Sequence, residues 1–106
     1  MIRISVEKRQ DSITAMEVKG HADFADFGND VVCAAISSIT YGLMNAVDEM
    51  SEASCTITDK PAHKSIEVIH DSEKLQNILQ TGLIMMKTVA EVYPKNVKIK
   101  TMEVEQ

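Results

Sequence analysis

One histidine, His21, and one cysteine, Cys33, share the short segment GHADFADFGNDVVCAAISS, residues 20–38. An imidazole and a thiol are the minimum kit for cysteine nucleophile chemistry, in which the base takes the thiol proton and sulfur attacks a carbonyl. Cys33 falls at the start of a helix-like run and, with Asp30 as N-cap, occupies the third helical position. Unpaired N–H groups and the positive end of the helix dipole favour a thiolate at such a place. His21 follows Gly20 at the end of a strand-like run, where glycine lets the chain turn or approach another backbone closely. Each residue also has an ordinary reading. Free cysteines mostly behave as small buried hydrophobes, and a loop histidine is commonly a surface residue. Position alone leaves both readings open.

The neighbours carry the same ambiguity. Asn29 or Asp30 can cap the helix by accepting its orphan N–H groups, and Asp30 can instead orient His21 as the third member of a triad. Ser37, one turn after Cys33, either donates a hydrogen bond towards the site or solvates the helix. Phe24 and Phe27, the two phenylalanines of the chain, sit in a polar loop flanked by Gly20 and Gly28. That loop reads either as a lid that orders over an apolar substrate segment, hinged at its glycines, or as a small satellite cluster folded back on the protein. The second cysteine, Cys55, alternates in a strand and reads as core, while His63 and His70 read as loop residues. The three histidines and two cysteines do not form the close pairs a zinc site needs, so no metal and no other cofactor is expected.

These residues must be positioned by a small fold. Ile2–Val6 and Ile13–Lys19 alternate as half-buried strands around a polar turn at Lys8–Asp11. A helix over Val31–Met50 carries the apolar stripe Val32, Ile36, Ile39, Leu43, Val47 and Met50, with Gly42 mid-helix as a mark of close packing. Ser54–Thr58 and Ser65–Ile69 read as strands joined through Asp59–Lys64. A second helix over Glu73–Tyr93 is capped by Asp71 or Ser72 and stopped by Pro94. In the last strand, Val97–Val104, the apolar positions change phase between Ile99 and Met102, which predicts a bulge or a strand end covered by something else. The order β-β-α-β-β-α-β predicts an α+β two-layer sandwich, with two helices packed on one face of a mostly antiparallel sheet.

The chain has 106 residues, enough for one domain over 1–106, and a net charge of −5. That sign argues against nucleic acid as a direct ligand, because phosphate binding needs a basic surface. No apolar run of membrane-spanning length is evident, and the N-terminus alternates as a strand rather than as a signal peptide. A cytoplasmic protein with no membrane partner is the expectation.

Gly20-His21-Ala22, then Gly28, then Asp30-Val31-Val32-Cys33-Ala34-Ala35-Ile36-Ser37 resembles the signature of the ribosomal-processing cysteine protease family, Prp. Chain length, element order and acidic character are similar as well, so the resemblance covers the whole chain. It implies a small α+β homodimer in which Cys33 is the nucleophile and His21 the general base. It also implies the substrate: a ribosomal protein precursor, large-subunit protein twenty-seven, that loses a short N-terminal extension during ribosome assembly. An acidic protein with a Phe-bearing lid suits a cleaved segment that is apolar and aromatic, followed by a basic mature part. Helix-start N–H groups would stabilise the oxyanion. A non-catalytic ribosome-assembly or peptide-binding module on the same fold, and a different Cys–His enzyme, are the competing classes. The apolar residues Met102 and Val104 make the last strand a candidate dimer surface.

Overall fold

The computed structural model describes residues 1–26 and 29–105. Seven elements follow one another: β1 (Ile2–Arg9), β2 (Ser12–Lys19), α1 (Val31–Met50), β3 (Cys55–Lys60), β4 (His63–Val68), α2 (Glu73–Val92) and β5 (Val97–Glu103). The sheet order is β3-β4-β2-β1-β5. Three of its pairings are antiparallel, and β1 with β5 is parallel. The expected α+β two-layer sandwich is therefore the architecture found.

Period-two alternation places Ile2, Ile4 and Val6 on one face of β1, where they are buried beneath the helices. Across the sheet Val6 pairs with Met16, Met16 with Ile66, and Ile2 with Val97. This row meets the buried stripes of α1 (Val32, Ile36, Thr40, Leu43, Met44, Val47) and α2 (Leu75, Leu79, Leu83, Met86). By length and a mean hydropathy of 1.3, α1 could cross a bilayer, contrary to the expectation from sequence; its stripe packs instead on the sheet and on α2.

Four local features differ from the sequence expectation. The bulge is in β2, not in the last strand. The β1–β2 register shifts between Glu7 and Lys8, so that Thr14 is the extra residue. Ile13 and Met16 are three apart and would face opposite ways in a regular strand; the extra residue lets both enter the core. Gln76 of α2 secures the irregularity, accepting from the Ile13 N–H and donating to the Ile13 carbonyl, both at 2.8 Å. The last strand, by contrast, keeps unbroken register with β1, and Met102 simply points to the face away from the helices.

The β3–β4 connection is shorter than expected, two residues at Pro61-Ala62, which puts His63 inside β4 rather than in a loop. The close helix–helix approach is at Gly82, not Gly42. A Cβ on Gly82 would lie 2.6 Å from the Leu43 side chain, whereas one on Gly42 meets nothing within 4 Å. Finally, Ile39 is only half-buried and Met50 is exposed, because the α1 stripe turns towards Thr40 and Met44. A polar residue is tolerated there because the Thr40 hydroxyl donates to the Ile36 carbonyl at 2.7 Å.

Candidate active site

The strand β2 delivers His21 and the first turn of α1 delivers Cys33. At Gly20 the chain leaves β2 with φ +90° and its N–H donates to the Ala62 carbonyl at 3.0 Å. A Cβ there would stand 2.5 Å from the Met1 carbonyl oxygen, so the turn needs glycine twice over, for the backbone angle and for the space. The Met1 nitrogen donates to the His21 carbonyl, which ties this turn to the start of β1. His21 is exposed; the next residue, Ala22, is buried in the core.

Burial of Ala22 decides where its peptide groups point. Its N–H donates to Cys33 Sγ at 3.1 Å, and its carbonyl accepts from Asn96 Nδ2 at 3.0 Å. Cys33 is half-buried at the margin of the core, where its helical phase placed it. Both His21 and Cys33 line one open cleft of about 690 Å3, together with Gly20, Asp30 and Ser37. Among the described residues no hydrogen bond joins the imidazole to the thiol.

Asp30 caps α1. Its Oδ1 accepts from the N–H groups of Val32 and Cys33 at 3.0 and 2.9 Å. Its Oδ2 accepts from Phe24 N–H at 3.0 Å and Ala25 N–H at 3.4 Å, so one carboxylate holds the helix start and the loop after His21 together. Burial works against its charge, but the backbone donors of Cys33, Phe24, Ala25 and Val32 outweigh it and keep the carboxyl below its ordinary pKa. Both oxygens serve backbone groups rather than the imidazole. Of the helix-start N–H groups, those of Val32 and Cys33 go to the Asp30 side chain and that of Ala34 to the Asp30 carbonyl. The Ser37 hydroxyl, exposed one turn on, faces the same cleft.

The Phe24 ring packs edge-on against Tyr93, at the C-terminal cap of α2, with centroids 5.3 Å apart. The described part of the loop thus folds back on the protein. Phe27 and Gly28 lie outside the described residues.

The far wall of the cleft was missed from sequence. Lys64 Nζ pairs with Asp59 at 2.8 Å and lies 4.9 Å from the Tyr41 ring centre, and the Tyr41 hydroxyl donates to the same Asp59 oxygen. The pairing lowers the Asp59 carboxyl pKa and raises that of the Lys64 ammonium. His63, beside it, meets Glu17 at 2.9 Å, and this hydrogen bond is the main cause holding the Glu17 carboxyl below its ordinary pKa. Lys64 and Asp59 face each other across the β3–β4 hairpin, whereas the Tyr41–Asp59 and His63–Glu17 contacts join elements far apart in the chain and carry no local sequence signal. Cys55 behaves as expected of a core thiol. Burial pushes its pKa up and the nearby Asp48 and Asp71 carboxylates add to this, against a hydrogen bond from Ser54.

Residues 1–98 match the model of the family Cysteine protease Prp. The chain belongs to the Prp family. It is a cysteine protease. A ribosomal processing cysteine protease Prp from Staphylococcus aureus is 31% identical over 90 residues, covering 82% of this chain and 85% of the relative. The Prp of Bacillus subtilis is 26% identical over 109 residues, covering 95% and 97%. A crystal structure of the S. aureus Prp in complex with a covalently linked product peptide superposes with a TM-score of 0.92 at 27% identity, over 96% of this chain and all of that one. The Prp fold accordingly extends over both helices and the whole sheet described above.

Proposed function

We propose that this Prp is an endopeptidase that removes a short N-terminal extension from large-subunit ribosomal protein twenty-seven during ribosome assembly, with Cys33 as nucleophile and His21 as general base. The observation that carries this reading is the meeting of the two residues in one cleft, with the Ala22 N–H directed at the Cys33 sulfur. A donor aimed at sulfur fixes the side-chain rotamer and favours negative charge on such an atom. The names of the relatives, which are ribosomal processing proteases, support the substrate class.

His21 takes the Cys33 proton and the thiolate attacks the scissile carbonyl. The carbon–nitrogen bond then breaks as the imidazolium returns its proton to the leaving amine, and water releases the acyl group. Asp30 is a positioning residue, because its carboxylate locks Cys33 and the Phe24–Ala25 backbone into one unit. Ser37 lines the cleft one turn after Cys33 and can donate to the oxyanion, while the N–H groups of Val32 and Cys33 are held by Asp30. Gly20 allows the turn that presents His21. Phe24, Phe27 and Gly28 belong to the substrate lid in this reading, and Phe24 leaves its Tyr93 contact to meet the substrate. The same reading makes the protein cytoplasmic, where ribosomes assemble, and a homodimer, with a ribosomal protein precursor as its peptide partner and neither nucleic acid nor membrane bound directly.

The test uses a synthetic peptide spanning the extension and the start of the mature ribosomal protein, with products read by mass spectrometry. Wild type should cut it once at the junction. Cys33→Ala should abolish cleavage with the fold intact, and Cys33→Ser should be nearly inactive, because a hydroxyl ionises far less readily than a thiol. Undiminished cleavage by folded Cys33→Ala would sink the assignment.

A further inference from the structure

The connection between α2 and β5, seventy-four residues beyond the His21 turn, reaches back to the site. Asn96 is half-buried there and is tied by both of its main-chain groups: its N–H donates to the Tyr93 carbonyl at 3.0 Å and its carbonyl accepts from Ile2 N–H at 2.8 Å. Its side-chain amide is therefore delivered from a fixed backbone. The amide nitrogen donates to the Ala22 carbonyl at 3.0 Å, and Ala22 is the residue whose N–H points at Cys33 Sγ. Three residues earlier, Tyr93 supports the ring of Phe24 in the same loop.

We infer that Asn96 is a positioning residue for the thiol: by holding the Ala22 carbonyl it sets the angle of the backbone that places the Ala22 N–H on Cys33 Sγ and carries His21 into the cleft. The Ala22 side chain cannot do this alone. Burial fixes where the methyl group goes, but a single-carbon side chain leaves rotation of the flanking peptides free. A hydrogen bond on each side of the residue, one to sulfur and one to the Asn96 amide, removes that freedom. The carboxylate of Asp30 holds the N–H groups of Phe24 and Ala25, so the loop is gripped from α1 and from the α2–β5 connection at once. Asn96 touches neither nucleophile nor base, and its action runs through one peptide unit.

This inference rests on Cys33 being the nucleophile, and the test separates the two. The probe is iodoacetamide, with the second-order rate of Cys33 alkylation followed across pH in the cold, where the variants remain folded, and the folded state checked by circular dichroism. Asn96→Asp keeps the shape and replaces the donor by an acceptor facing the Ala22 carbonyl; Asn96→Ala removes the group. In both, alkylation at neutral pH should slow about tenfold, the effect of losing one hydrogen bond to a charged atom. The rate–pH profile should move to the alkaline side and converge with wild type at high pH. Folded variants whose profile coincides with that of wild type would overturn the role given to Asn96. Failure of wild-type Cys33 to react faster than Cys55 at neutral pH would instead overturn the assignment of the nucleophile.

Discussion

Replacing glycine by alanine at three positions should move stability in a defined order, because the three sites differ in what a methyl group meets. Gly42 is an exposed position in the interior of α1 with no atom within 4 Å of the new Cβ, so Gly42→Ala only reduces backbone freedom in the unfolded chain and should stabilise by ~0.5–1 kcal/mol. Gly82 gains the same helix preference, but its Cβ would lie 2.6 and 2.8 Å from the two methyl carbons of Leu43, which is itself buried. Overpacking of this kind costs ~1–3 kcal/mol, so the net change at Gly82 is a loss. Gly20→Ala has no compensating gain. A φ of +90° places alanine in a strained region costing ~1–3 kcal/mol. The methyl group would also press on the Met1 carbonyl, a backbone atom whose strand is hydrogen-bonded through Ile2 to Asn96. With ~4–8 °C of melting temperature per kcal/mol in a chain of this size, Gly20→Ala should lower Tm by about 5–20 °C and Gly42→Ala should raise it by a few degrees. Circular dichroism melts of the three variants give the order directly, and peptide cleavage in the cold reports on the site. Gly20→Ala should lose cleavage even where it is folded, since the next residue is His21. A Gly20→Ala variant with wild-type Tm and full cleavage, or one more stable than Gly42→Ala, would refute the steric reasoning.

Iodoacetamide at neutral pH should add one group per chain, on Cys33, because burial raises the Cys55 thiol and keeps it protonated; peptide mapping that finds Cys55 labelled equally would contradict this. Asp30 has a folded-state pKa below its ordinary value, so its stabilisation is present above the usual aspartate pKa of about 3.9 and is lost as pH falls through the folded value. Asp30→Asn should therefore melt lower than wild type at neutral pH, with the gap closing on acidification below about pH 4; a gap of constant size from neutral to acid pH would show that the charge contributes nothing.

Much of the frame was legible before any tertiary contact was known. The helix over Val31–Met50 follows from a 3.6-residue stripe and a cap at Asn29 or Asp30, both local signals, and the structure uses Asp30. The same holds for β1, whose alternation Ile2, Ile4, Val6 is the burial pattern observed. The bulge was assigned to the wrong strand because phase changes occur in both β2 and β5, and periodicity cannot distinguish an extra residue from a side chain left on the outer face. Met102 is such a side chain, whereas Ile13 and Met16 are both held under α2, where Gln76 satisfies the irregular backbone.

The sequence by itself determined which groups can do the chemistry: a thiol in the first turn of a helix, an imidazole after a strand, and a family signature that joins them. Helix phase and capping preferences act over three or four residues, so they can be read from order alone. Only the tertiary structure decided that the second Asp30 oxygen goes to the Phe24 and Ala25 N–H groups, and that Asn96 holds the peptide facing Cys33. The Asn96 bond joins residues seventy-four apart, brought together by burial of Ala22 and by the parallel pairing of β1 with β5. Such meetings are set by the packing of the whole core, and no spacing within the segment from Gly20 to Ser38 encodes them.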